Sequence, residues 1–172
     1  MSELRADCAR CEGLCCVVLA FDQSPAFAFT KPLNTPCPHL SASNRCEIYP
    51  TRGEAGFHGC GHFDCYGAGQ RATELVPGPS WREDPERARR LFAAFCVALE
   101  LHELLLLLDA TSHLALPTAH ASERDALVEG LERDARRVAT EAVDISQRRR
   151  RVHEFLRELA PFVAPMHRRR LR

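Results

Sequence analysis

The chain has 172 residues, 45% hydrophobic and 27% charged, a balance that excludes a disordered or collagen-like polymer and fits one domain, or a small domain joined to a helical one. Its formal net charge is zero, divided as −2 over residues 1–80, −5 over 81–145 and +7 over 146–172. Only the tail favours an anionic partner, so a dedicated nucleic-acid binder is disfavoured.

The start, Met1-Ser-Glu-Leu-Arg-Ala-Asp-Cys8, carries no apolar stretch, and the expected address is the cytoplasm. Residues 1–80 form the first expected region, rich in cysteine, glycine and proline. Pro25, Pro32, Pro36, Pro38 and Pro50 forbid long helices there. Two short strands are expected, Cys16-Val-Val-Leu-Ala-Phe21 and Ala26-Phe-Ala-Phe29, joined by Asp22-Gln-Ser-Pro25 as a hairpin. With so few large apolar residues the region needs staples beyond burial, and bound metal is the expected one.

Residues 81–172 form the second expected region, a bundle of two to four helices with a basic tail. Asp84-Pro85 places an N-cap before a proline at the first helical position, and the helix is expected to run to about Ala110. Its apolar stretch, Leu91 to Leu108, is interrupted by Glu100, His102 and Glu103, which predicts a buried helix rather than a membrane span. Ser122-Glu-Arg-Asp125 resembles a capping box opening a further helix. The seam Val128, Leu131, Ala135, Val138, Ala142, Ile145 then continues through Val152, Leu156 and Leu159 to Pro161, with a break expected near Asp144–Ser146. The fold class expected is therefore mostly α: a small, irregular, metal-stapled region with a short hairpin, followed by helices.

Of the nine cysteines, eight precede residue 66. The first cluster is Cys8-x2-Cys11-x3-Cys15-Cys16, and the second is Cys37-Pro-His39, Cys46 and Cys60-Gly-His62-Phe-Asp-Cys65. A two-residue gap lets two sulfurs converge on one ion, as in zinc knuckles and iron–sulfur loops. Eight thiols amount to two tetrahedral sites or one polynuclear cluster. The adjacent pair Cys15-Cys16 favours the cluster, because neighbouring side chains are expected to diverge. Gly13, Gly59 and Gly61 are expected to let the backbone turn tightly around it. In a reducing compartment disulfides are the weaker reading, and inert buried thiols or a redox-active CxxC weaker than metal ligation. Cys96 stands apart on the apolar helix and is expected in the core.

The same elements resemble a bacterial family, the cysteine-rich zinc- or iron-chelating domain of the CxxCxxCC type. They are Cys8-x2-Cys11-x3-Cys15-Cys16, Cys37-Pro-His-Leu40, Cys46-Glu-Ile-Tyr49 and Gly59-Cys60-x4-Cys65. More closely, Ala6 to Gln70, with Trp81-Arg and Leu101-His-Glu-Leu-Leu105, resembles the N-terminal part of actinobacterial pentapeptide-repeat proteins. The first spacing is three residues before the Cys pair rather than two, and the A-(D/N)-L-x-x repeats are absent, so no function of the repeat transfers. The resemblance implies metal binding and a cytoplasmic location.

The expected ligands are Cys8, Cys11, Cys15, Cys16, Cys37, Cys46, Cys60 and Cys65, holding Zn2+ or an iron–sulfur cluster; zinc would recruit His39 or His62. No catalytic residue is assigned. His102-Glu103 lacks the second histidine of a zinc-protease motif, and Glu100 with Glu103 lacks the matching Glu-x-x-His of a di-iron bundle. Arg148 to Arg151, Arg168 to Arg170 and Arg172 are read as solvated surface. The expected function is metal binding, with the apolar helix serving a protein partner or a second copy of the chain. The alternative is an iron–sulfur redox protein or enzyme component acting on a peptide or a pathway partner.

Overall fold

The structure, a computed structural model, describes residues 4–163; Arg168 to Arg170 and Arg172 lie outside them. The helices are α1 (Leu14–Val17), α2 (His58–His62), α3 (Ala68–Leu75), α4 (Pro85–Asp109), α5 (Thr118–Ala135) and α6 (Ile145–Glu158), with 3-10 turns at Cys8–Arg10, Tyr49–Thr51 and Ala160–Phe162. The protein is mostly helical, and no strand occurs among the described residues.

The expected hairpin is replaced by a bridged loop. Cys16 and Val17 belong to α1, and only isolated antiparallel bridges survive, Phe21 with Lys31 and Ser24 with Phe27. Val17 and Val18 are both fully buried, so the apolar run does not alternate as a half-buried strand must, and a helical turn places both in the core. Pro25 and Pro32 deny further donors to a ladder.

α4 begins as its sequence dictates: the Asp84 carboxylate accepts from the Arg87 backbone N–H at 3.0 Å, with Pro85 in the first turn. Its two halves serve two cores. Leu91, Ala94, Phe95, Ala98 and Leu99 pack with Leu14, Val17, Val18, Leu40, Ala72 and Val76 of the cysteine-rich region and with Trp81. Leu101, Leu104, Leu105 and Leu108 pack with Leu131 and Ala135 of α5, Val152 and Phe155 of α6, and Leu159. This division explains why the helix is apolar on more than one side. By length and composition α4 is also able to cross a membrane.

Three expectations in this half are corrected. α5 opens at Thr118 after Pro117, not at Ser122, because the proline already provides a start. α5 ends at Ala135, before the break expected near Asp144–Ser146, although Val128, Leu131, Val138, Ile145, Val152, Leu156 and Leu159 all reach the second core and Val138 touches the first as well. Asp144 caps α6 as expected, its carboxylate accepting from Gln147 N at 2.9 Å. Cys96 is exposed rather than buried, since it shares the exposed side of α4 with Ala93 and Glu103, away from Ala94 and Ala98.

A buried ion pair ties the two regions together. Arg87, 4% exposed, meets both carboxylate oxygens of Glu12 (3.0 and 2.5 Å) and donates to the carbonyls of Val76 (2.9 Å) and Pro79 (2.7 Å). The Trp81 indole N–H donates to the Glu12 carbonyl at 3.1 Å. Glu12 lies between Cys11 and Gly13, so these contacts fix the first cysteine loop against the start of α4.

Candidate metal centre

The eight clustered cysteines come from five stretches of chain, and all eight line one open cavity of about 790 Å³. Cys8 and Cys11 sit on and just after the first 3-10 turn, Cys15 and Cys16 on α1, and Cys60 on α2. Cys37 and Cys46 lie in the loop that folds back over α1, and Cys65 precedes α3. Cys96 does not line the cavity. All nine cysteines are free thiols.

Backbone contacts bring these stretches together. The Cys37 amide donates to the Cys16 carbonyl at 2.8 Å and the Asn34 amide to the Val18 carbonyl at 3.1 Å. Gly13 has φ +72°, and a Cβ there would meet Leu40 Cδ1 at 2.8 Å and the Asn44 carbonyl at 2.9 Å, so only glycine admits the 37–46 loop. Gly59 instead makes room for the Phe27 ring, and Gly61 faces open space, so neither needs glycine's turning freedom. Arg45 clamps the first loop by donating to the carbonyls of Cys8 (2.5 Å), Cys11 (2.7 Å) and Ala9 (2.9 Å). Arg52 stacks on Tyr49 at 3.9 Å and donates to the Cys60 carbonyl at 3.0 Å. With their polar atoms engaged on protein carbonyls, both arginines act as supports of the cysteine loops.

At Gly69 a Cβ would lie 2.7 Å from Cys11 Sγ and 3.7 Å from Cys65 Sγ. The two sulfurs thus flank one point on α3, and the missing side chain is what seats them. Gln70, on the next position, accepts from the Asp7 amide (2.9 Å) and donates to the Arg5 carbonyl (2.8 Å), holding the N-terminal segment across α3. Tyr66, with φ +48°, makes the turn from Cys65 into α3, and His102 Nδ1 of α4 meets its carbonyl at 2.5 Å.

Cys15 and Cys16 do not diverge: their sulfurs are 3.9 Å apart. That matches the edge of a tetrahedral thiolate site, about 3.8 Å for metal–sulfur bonds of about 2.3 Å. Among the described residues no three His, Cys, Asp or Glu side chains close around a single point. His39 and His62 also line the cavity. His39 packs edge-on against Phe57 (centroids 5.3 Å apart), and His62 Nδ1 is engaged by the His58 carbonyl at 2.8 Å.

Burial pushes the thiols of Cys8, Cys46, Cys60 and Cys65 up, and that of Cys11 up to about 11. Cys15 is pushed up first by its hydrogen bond with Cys16 and then by burial. Crowded thiols without a cation are therefore held neutral, and an ion that binds them displaces protons.

One part of the remaining wall is apolar and includes Leu19, Phe21, Phe27, Ile48 and Phe57. Phe21 and Phe27 stack at 4.3 Å, and Phe57 meets Phe29 edge-on at 5.1 Å. Sequence reading missed this aromatic wall and the lysine behind it. The signal available was the phenylalanine density of residues 21–29.

No family model matches the chain, and no solved structure does. It is 36% identical over 166 residues to the uncharacterized protein YybG of Bacillus subtilis strain 168, an alignment covering 94% of this chain and 59% of that protein. The chain thus spans well under two thirds of the length of that curated relative.

Proposed function

We propose that the protein binds metal, through a thiolate-held centre organised by Cys8, Cys11, Cys15, Cys16, Cys37, Cys46, Cys60 and Cys65. The observation that carries this reading is that eight cysteines from five stretches line one cavity while the ninth faces solvent. Their number favours a polynuclear centre over one isolated ion: eight thiols exceed the four ligands of a single tetrahedral metal, and a cavity of about 790 Å³ exceeds the shell of one ion. A cluster with bridging sulfur spans such a cavity, and cysteine thiolates are its ordinary ligands. Zinc ions sharing thiolates are the competing occupant, supported by His39 and His62 at the wall. Kinship with the cysteine-rich chelating family and a reducing, cytoplasmic setting belong to the same reading.

The helices α4 to α6 then act as the platform that carries the centre to a protein partner or a second copy. An iron–sulfur redox protein or enzyme component is the second reading, favoured by the open aromatic wall beside the sulfurs, which leaves room for a peptide side chain or a partner's group. Full-length protein purified without oxygen tests both. Elemental analysis is expected to find more than one metal ion per chain. A broad absorption near 400 nm identifies iron–sulfur, and a colourless zinc protein ends the redox reading. A folded, reduced chain carrying no metal overturns the proposal.

A further inference from the structure

The sequence uses arginine 22 times and lysine once, and that single lysine, Lys31, is 2% exposed. Its Nζ donates to the carbonyls of Val17 (3.0 Å), Pro32 (3.2 Å) and Thr35 (2.8 Å). Three acceptors match the three N–H bonds of an ammonium, whereas a neutral amine has two, so the geometry is that of a charged group. The Phe21 ring lies beneath it at 5.8 Å. Among the described residues no carboxylate is within ion-pairing distance of Nζ. A buried ammonium without a counter-charge is costly, and hydrogen bonds to carbonyls offset only part of that cost.

The missing negative charge has a source nearby. Val17 directly follows Cys16, and Thr35 lies two residues before Cys37, so Nζ sits where two cysteine-bearing segments meet. Burial lowers the Lys31 pKa, and the sulfurs of Cys37 and Cys16, on the two segments that Nζ bridges, oppose that shift. As neutral thiols these groups leave the lysine uncompensated. As metal-bound thiolates they supply the anion that its burial requires.

Resting on the metal-centre reading above, we infer that Lys31 is the built-in counter-charge of the centre, a fixed cation held where the segments of Cys16 and Cys37 meet, which favours a net-anionic metal–thiolate assembly on that side of the cavity. Lys31 is thus a positioning residue that acts through charge, and Cys16 and Cys37 are the ligands whose anionic character it supports.

The test compares the full-length wild type with Lys31→Met and Lys31→Gln, each reduced and metal-free. Cobalt(II) is titrated in anaerobically and followed by its thiolate charge-transfer absorption, with thermal melts of the same samples. A charge role predicts that both variants bind cobalt at least tenfold more weakly than wild type, with Gln no better than Met although it retains hydrogen-bond donors. A role as a mere structural staple predicts that affinity follows the melting temperature, with Gln near wild type. That result overturns the inference, as does unchanged affinity in both variants. Failure of the wild type itself to bind cobalt overturns the metal-centre reading instead, so the two failures are distinguishable. If Lys31→Met does not fold, Lys31→Gln alone decides between charge and staple.

Discussion

At the scale of single residues, the cysteines divide into eight that face one cavity and one that does not. Cys11→Ser and Cys60→Ser are expected to remove most of the bound metal, while Cys96→Ser keeps the wild-type content, as measured by elemental analysis of anaerobically purified protein. Equal losses in all three variants would contradict the assignment. Gly69→Ala tests the seat of Cys11 and Cys65 from the other side. Its new methyl overlaps the Cys11 sulfur, so metal content should fall by more than half while the helical circular dichroism is retained. The eight ligand candidates were legible in the sequence because CxxC and CC spacings are local. The role of Gly69 was not, since nothing local says which sulfur a helix position will meet.

At the scale of elements, two contacts hold the cysteine-rich region on α4. One is the Arg87–Glu12 pair, where truncating Arg87 leaves the part-buried Glu12 carboxylate, and the carbonyls of Val76 and Pro79, without their partner. Arg87→Met should lower stability by about 3 kcal/mol in urea unfolding. An effect below about 0.5 kcal/mol, the range of an exposed pair, would show that the pair is not what anchors the first loop. The other is His102, 1% exposed, whose Nε2 is buried without a partner among the described residues. Burial lowers its pKa, the Tyr66 carbonyl opposes that shift, and the charge of Arg71 adds to it. A histidine whose folded pKa lies below its unfolded value of about 6.5 contributes fully above that value. Its contribution is lost as pH falls from about 6.5 towards the folded pKa. Melting temperature should therefore drop below pH 6.5 in the wild type, and the drop should be smaller in His102→Gln; an equal drop in both would clear His102. Capping was legible at Asp84 and Asp144, where a carboxylate precedes a helical run. The end of α5 was not, because Val138 packs against both cores and the apolar spacing continues past Ala135 although the helix stops there.

At the scale of the whole molecule, α4 is a common wall with a cysteine-rich layer on its first half and α5–α6 on its second. The expected reliance on metal is accordingly local. α1 and α3 are anchored by burial on α4, whereas residues 19–62 contribute only Leu40 and Phe57 as buried hydrophobic side chains. Chelation should raise amide hydrogen exchange in residues 19–65 and leave α3 to α6 protected; uniform loss of protection, or none, would refute this division. The run Arg148 to Arg151 is not merely solvated. Arg148 pairs with Asp134 at 2.6 Å, Arg149 with Glu100 and Arg151 with Glu123, so the basic face of α6 balances acidic groups of α4 and α5. The sequence by itself determined the helical class, the start of α4, and which thiols belong to one group, because caps, apolar periodicity and close cysteine spacings act over a few residues. Only the tertiary structure decided that Val17 and Val18 enter a core instead of a strand, that Cys96 faces outward, and that a lone lysine is buried where the Cys16 and Cys37 segments meet. Those outcomes depend on how distant segments share buried volume and charge, a constraint that exists only once the chain has closed on itself.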